Sequence, residues 1–247
     1  MQFHFYADDT QFYISFSTNN DMALTNSITK IKEYLSDIDK WMSINRLQLQ
    51  DRASLLILEP SPHARNIGAI FDTTMSMLPH VNNVFKSAFY HLRTISRIRK
   101  FLSTQTTEIL IHAFVTSKLD QCNSLLYNVP KNVIKKLQSM QNAAARLITW
   151  SRKCDHITPI LLDLHWIRVS GRIKFKILLL TFKALHQQSP TYIQDLIILF
   201  LPSRSLRSSS TLSLLNPVRL NLKTYGSRAF YVSAPKIWNK LPDDIRS

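Results

Sequence analysis

The chain has 247 residues, 45% of them hydrophobic, including 13 Phe and 4 Trp, which is ample for a core and excludes a disordered polycation. Its 31 Lys and Arg against 16 Asp and Glu give a formal charge of +15. That balance favours a polyanionic partner, because cations that neutralise phosphates release condensed counterions.

No apolar run approaches the roughly 18–20 residues of a membrane span; the densest, 173–185, is interrupted by Lys174, Lys176 and Lys183. Asp8 and Asp9 break the N-terminus where a secretory leader would run. The expectation is an intracellular chain, in nucleus or cytoplasm, with no membrane partner. Cys122 and Cys154 offer no disulfide framework, and Cys154, His156 and His165 match no zinc-ligand spacing. Glycine occurs only at 68, 171 and 226, which argues for long helices over a turn-rich barrel.

Residues 2–15 alternate as strands, with Asp8-Asp9-Thr10 as the expected turn and a second strand through Phe12-Tyr13-Ile14. A helix is expected from about Asp21, with Leu24, Ile28, Ile31, Leu35, Ile38 and Met42 on one face and Asn19, Asn20 or Asp21 as its cap. Two short strands follow, Leu55 to Leu58 and Ile67 to Phe71 around Gly68. Residues 1–78 thus read as an α+β unit.

From Pro79 the pattern turns helical. Val81, Val84, Phe85, Ala88, Leu92, Ile95 and Leu102 share a face, and a helix from about Thr104 carries Ile109, Leu110, Ala113 and Phe114 inward. Pro130 suits a helix start, with Ile134, Leu137, Gln141, Ala144 and Ile148 following at helical steps. Residues 169–186 are apolar nearly all round, which predicts the most buried helix of the second half. Ser189-Pro190 looks like another cap and first turn. Residues 79–200 form this helical region. Residues 201–247 comprise a polar, basic linker around Arg204 and Arg207, then a docking segment anchored by Phe230, Trp238 and Leu241. The fold class is α+β, predominantly helical.

Charge is unevenly spread. Between Asp72 and Glu108 there is no acid, and Lys86, Arg93, Arg97 and Lys100 recur at steps of seven, four and three. They form one stripe away from the apolar face, suited to a nucleic-acid backbone. Arg99 falls on the apolar side, where it must snorkel or pair. A second acid-free stretch, between Asp195 and Asp243, holds Arg204, Arg207, Arg219, Lys223, Arg228, Lys236 and Lys240. Its aromatics serve either as stacking surfaces for single strands or as docking anchors. At the N-terminus Asp8 and Asp9 are either a charged turn or half of a metal site, since paired carboxylates suit Mg²⁺ and two-metal nucleotidyl transfer needs a further carboxylate.

The stretch Phe5-Tyr6-Ala7-Asp8-Asp9-Thr10-Gln11 resembles the palm motif of reverse transcriptases, in the form used by LINE-type (non-LTR) retrotransposons related to chicken repeats and Jockey. Further blocks are similar in the same order. They are Asn66-Ile67-Gly68-Ala69-Ile70-Phe71-Asp72, residues 117–126 (SKLDQCNSLL), residues 137–147 (LQSMQNAAARL), Leu164-His165-Trp166 with Arg172-Ile173, Gly226-Ser227-Arg228-Ala229-Phe230, and residues 234–242 (APKIWNKLP).

The resemblance implies a partial reverse-transcriptase palm (β-hairpin, helix and short strands) followed by a helical thumb-like region, with an RNA template and a DNA primer as partners. It makes Asp8 the metal-binding aspartate, Asp9 its less strictly placed neighbour, Tyr6 the residue beside the primer end, and Mg²⁺ the cofactor. The family's fingers and first palm aspartate precede this motif, and only five residues precede Tyr6 here, so a fragment inactive by itself is expected. Where relatives read Leu-x-Leu-Asn-x-x-Lys-Thr-Glu this chain has Leu47-Gln48-Leu49-Gln50-Asp51-Arg52-Ala53-Ser54, with Arg52 the nearest cation to the suspected proton donor. Self-association through an exposed palm edge is expected as well. The alternative is a non-enzymatic RNA- or DNA-binding module, or the relic reading frame of a retroelement.

Overall fold

The alternating stretch that opens the chain forms a two-stranded hairpin. Strand β1 (Gln2–Tyr6) pairs antiparallel with β2 (Asp9–Tyr13), Tyr6 lying opposite Asp9 and Gln2 opposite Tyr13. Asp9 and Thr10 therefore belong to a strand and not to the expected turn. Pairing Tyr6 with Asp9 leaves only two residues to link the strands, the commonest hairpin length, and β-branched Thr10 suits a pleated strand.

The structure is a computed structural model that describes residues 2–6, 9–13, 21–45, 61–200, 213–217 and 226–246. Residues 2–6 and 9–13 are described by their backbone alone. Asp8, Ile14, the expected strand at 55–58, Arg204 and Arg207 lie outside the described residues. Packing divides the chain into two units, Met1–Ser61 and Pro62–Ser247.

In the first unit the hairpin is followed by helix α1 (Asp21–Ile44). Its four-three repeat produces the expected stripe: Ile28, Ile31, Leu35, Ile38 and Met42 are half-buried, while Leu24 at the N-terminal end is 43% exposed. The Ser27 hydroxyl on the same side donates to the Ala23 carbonyl at 2.8 Å.

The second unit begins with a second hairpin, β3 (His63–Asn66) against β4 (Ala69–Asp72), Asn66 opposite Ala69. Gly68 thus sits in a turn and not inside a strand as expected. Ile67 and Gly68 have φ of 45° and 82°, the positive pair that two-residue hairpin turns need and that glycine adopts freely. A Cβ on Gly68 would run into the Gln121 side-chain amide, which donates to the Ile67 carbonyl at 3.4 Å. The division at 61/62 groups this hairpin with the helices, whereas the sequence reading grouped it with residues 1–78.

Helices follow: α2 (Leu78–Ile98), a 3₁₀ turn (Arg99–Phe101), α3 (Thr104–Ile111), a π turn (His112–Thr116), α4 (Ser117–Asp120), a 3₁₀ turn (Asn123–Leu126), α5 (Lys131–Thr149), α6 (Ile157–Asp163) and α7 (Val169–Leu185). The four-residue helix α8 (Thr191–Gln194) comes next, and the chain closes with α9 (Phe230–Trp238) and α10 (Asp243–Arg246). Among the described residues no helix is long and apolar enough to cross a membrane. The mostly helical α+β class expected from the sequence is the class found.

One continuous core joins α2, α5, α7 and α9. The apolar face of α2 is as expected, with Val81, Val84, Ala88, Leu92 and Ile95 buried. Two expectations change. First, α3 turns Thr107 and Ile111 inward and leaves Ile109 61% and Phe114 45% exposed. The buried positions Thr107, Ile111, Val115 and Leu119 run at a strict four-residue step. Such a run drifts by about 40° per step on an α-helix, and the π turn with its wider winding absorbs part of the drift.

Second, α7 is not the most buried helix of the second half, since α5 and α9 each bury a larger share of their residues. Helix α5 buries Val133, Leu137, Met140, Gln141, Ala144, Ala145 and Ile148, whereas α7 presents one stripe and leaves Phe175 and Phe182 exposed. Helix α5 is central because the α2 face, the α6–α7 connection and the 3₁₀ turn after α2 all rest on it. At the C-terminal end Trp238 and Ala234 are buried, and Phe230 packs against the core. These are docking anchors.

Candidate nucleic-acid interface

Helix α2 carries the basic stripe on the side opposite its buried face. Lys86, Arg93 and Arg97 are exposed along the helix, and Lys100 is exposed in the turn that follows. Fourteen residues separate the first from the last, about 21 Å at 1.5 Å per residue, or about six steps of a polynucleotide strand at 3.4 Å. Tyr90, 68% exposed, lies on the same arc. Among the described residues none of the four cations pairs with a carboxylate; the ion pairs found there lie elsewhere, as at Arg172–Asp120 (2.8 Å) and Arg152–Asp155 (3.6 Å). An acid-free row of cations offers phosphates a field with no internal competitor.

Both ends of this helix are fastened. At its start the Asp72 carboxylate accepts hydrogen bonds from the Thr74 hydroxyl (2.6 Å) and the backbone N–H groups of Ser76 (3.0 Å) and Met77 (2.9 Å). Burial pushes this carboxyl up, but hydrogen bonds donated by Thr74, Ser76 and Met77 outweigh it and hold the group well below the usual carboxylate range. One turn into the helix, buried His80 takes the Ile70 N–H on its Nδ1 at 3.4 Å, tying α2 to β4, and burial lowers its pKa from the usual 6.5.

Both shifts are downward, so the stability each contributes is complete above its ordinary pKa and is lost as pH falls. His80 acts first, below about 6.5, and Asp72 below about 3.8. Thermal melts should therefore show the midpoint falling between pH 7 and pH 5, a fall that His80→Asn reduces, and a further fall below pH 4 that Asp72→Asn reduces. A midpoint as acid-sensitive in His80→Asn as in the parent would contradict the assignment of the first fall.

At the other end stands Arg99, 2% exposed. It neither snorkels nor meets a carboxylate. Its guanidinium donates from Nε to the Leu147 carbonyl (2.9 Å), from Nη2 to the Ile148 carbonyl (2.8 Å) and from Nη1 to the Leu102 carbonyl (2.7 Å). Leu147 and Ile148 belong to the last turn of α5, whose carbonyls have no intrahelical donor and carry the negative end of the helix dipole. The guanidinium carbon also lies 4.8 Å from the centre of the Trp150 ring. The sequence flagged Arg99 as misplaced on an apolar face; what it did not reveal was a helix end 48 residues later.

Other polar residues hold the scaffold behind the stripe. Gln141, 1% exposed, donates to the Ile167 carbonyl at 2.8 Å and accepts from Gln138 Nε2 at 2.9 Å. Gln138 Oε1 in turn accepts the Val169 N–H at 3.0 Å, at the first turn of α7. Arg172 donates to Asp120 and to the Ile167 carbonyl. Arg228, one cation of the second basic stretch, donates to the Met75 carbonyl at 2.7 Å and so helps to hold the chain just before α2. Lys236 and Lys240 are exposed, while Arg204, Arg207, Arg219 and Lys223 lie outside the described residues.

At the N-terminal hairpin Tyr6 ends β1 and Asp9 begins β2, facing each other across the pair. Two adjacent carboxylates are a donor set that fits a hard, oxygen-seeking cation such as Mg²⁺. Among the described residues no three His, Cys, Asp or Glu side chains gather as a metal set. No family model, curated protein or solved structure matches the chain.

Proposed function

We propose that the chain is part of a LINE-type retrotransposon reverse transcriptase, and that its helical unit grips the sugar–phosphate backbone of a template–primer duplex. The observation that carries this reading is the exposed, acid-free stripe of Lys86, Arg93, Arg97 and Lys100, anchored at both ends of α2. The ordered motif blocks, from the Tyr6-Ala7-Asp8-Asp9 hairpin to residues 234–242, support the polymerase origin. In this reading Tyr6 adjoins the primer end, and Asp8 and Asp9 are oxygen ligands. Bound Mg²⁺ would activate the attacking hydroxyl and steady the leaving pyrophosphate. A second reading, a basic RNA- or DNA-binding module without catalysis, rests on the same stripe and makes no use of Asp8.

Primer extension separates the two. Both readings expect the chain to retain an RNA-template DNA-primer duplex, and only a complete carboxylate set would extend the primer with Mg²⁺ and deoxynucleotides. Incorporation abolished by Asp8→Ala would establish a complete polymerase site and overturn the second reading. Failure to retain the duplex at low salt would overturn both.

A further inference from the structure

Two large aromatic rings stand in solvent, Phe101 beside Lys100 of the basic stripe and Trp150 against Arg99. Phe101 is 76% exposed and Trp150 is 64% exposed. Trp150 occupies the position after α5 with φ of 57°, a left-handed conformation that ends helices and ordinarily belongs to glycine or asparagine. Seven other non-glycine residues among those described share a positive φ, so it is the exposure of the ring and not its backbone that marks Trp150.

The indole is also held in place. Arg99, pinned by three carbonyls, lies against the Trp150 ring. Lys100 Nζ lies 4.8 Å from the centre of the Phe101 ring. Exposed cations lie near the two rings along the chain: Arg97 and Lys100 precede Phe101, and Lys153 follows Trp150 by three residues. None of these three pairs with a carboxylate among the described residues. The loop bearing Lys153 is fixed by Arg146, which donates to the carbonyls of Arg152 and Asp155 at 3.2 Å.

We infer that Trp150 and Phe101 form a stacking platform for the unpaired bases of a single-stranded polynucleotide, with Arg97, Lys100 and Lys153 on its phosphates. The inference rests on the reading of α2 as a backbone-gripping helix and extends it from paired to unpaired strand. Cations alone do not distinguish the two, because both present phosphates. An open aromatic face does, since base faces are hidden inside a duplex and free in a single strand. A protein partner would have to bring acids to three separate cations, whereas a polynucleotide brings one at every step.

The full chain is titrated with labelled oligo(dT) and with a blunt DNA duplex of the same length, at one salt concentration. Phe101→Ala and Trp150→Ala should each weaken oligo(dT) binding by about tenfold and change duplex binding by less than about twofold. Quenching of tryptophan fluorescence by unlabelled oligo(dT) should shrink in Trp150→Ala. Trp150→Ala also removes the ring against Arg99, so Phe101→Ala, which buries little, decides the matter if the former melts early. Equal weakening of both ligands, or of neither, overturns the platform. If Lys86→Glu with Arg93→Glu weakens both ligands while the aromatic variants change neither, the backbone grip stands and the platform falls. An oligomer that dissociates in Phe101→Ala with oligo(dT) binding unchanged would assign the rings to protein contact and likewise overturn it.

Discussion

Replacing Arg99 with Met is expected to destabilise the helical unit by about 3 kcal/mol, for three charge-assisted hydrogen bonds lost to carbonyls with no other donor. For a unit of this size that lowers the melting midpoint by about 10 °C. The opposing effect is real: burying a charge is costly, and replacing a buried ion together with its partners by apolar groups is often neutral or better. Here the partners are the backbone carbonyls of Leu147, Ile148 and Leu102, which no substitution removes. Methionine fills the volume and leaves the end of α5 without donors, so the loss prevails. Lysine should rescue little, because one ammonium cannot reach three acceptors in a fork. Urea melts of the parent, Arg99→Met and Arg99→Lys check this. A Met variant within about 0.5 kcal/mol of the parent, the range of an inert surface change, would mean the three bonds contribute nothing net.

The second large effect concerns binding. Changing Lys86, Arg93, Arg97 and Lys100 together to glutamate should reduce affinity for a nucleic-acid duplex by at least about a hundredfold at low salt. Four phosphate contacts correspond to a slope of about 3.6 in log affinity against log salt. That alone is about a hundredfold between 50 and 200 mM, and reversal adds repulsion to the lost attraction. All four side chains are exposed and none belongs to the core, so the melting temperature should scarcely move. Loss of binding with folding intact is the expected signature. Retention of the duplex by the folded variant would remove α2 from the interface.

Much of this arrangement was legible in the residues. Helix α1 begins at Asp21 as read, and the α2 face from Val81 to Ile95 is buried as read, because both carry an uninterrupted three-four repeat that burial then follows. What escaped the sequence depends on contacts distant along the chain. The face of α3 misleads by residue type, because polar Thr107 is buried with its hydroxyl on the Ser103 carbonyl while apolar Ile109 is exposed. Phe175 and Phe182 look like core residues, yet α7 needs only one stripe to meet α5 and α9, so they remain outside.

The motif blocks divide in the same way. Several of their polar residues prove to be fasteners between helices. Gln138 and Gln141 hold the start of α7, Asp120 holds Arg172, and Gln121 reaches the turn at Ile67. Their spacing could not announce this, since each partner lies tens of residues away. The stripe was readable because a helix repeats within itself. Arg99 was readable only as an anomaly.

The most direct measurement of the central claim is the salt dependence of duplex binding by the full chain, compared with single neutral variants at Lys86, Arg93, Arg97 and Lys100. Each glutamine substitution should lower the slope of log affinity against log salt by about 0.9, because each removes one phosphate contact. Slopes that match the parent in all four variants would contradict the claim, and would mean that the polynucleotide is held by some other surface of this basic chain.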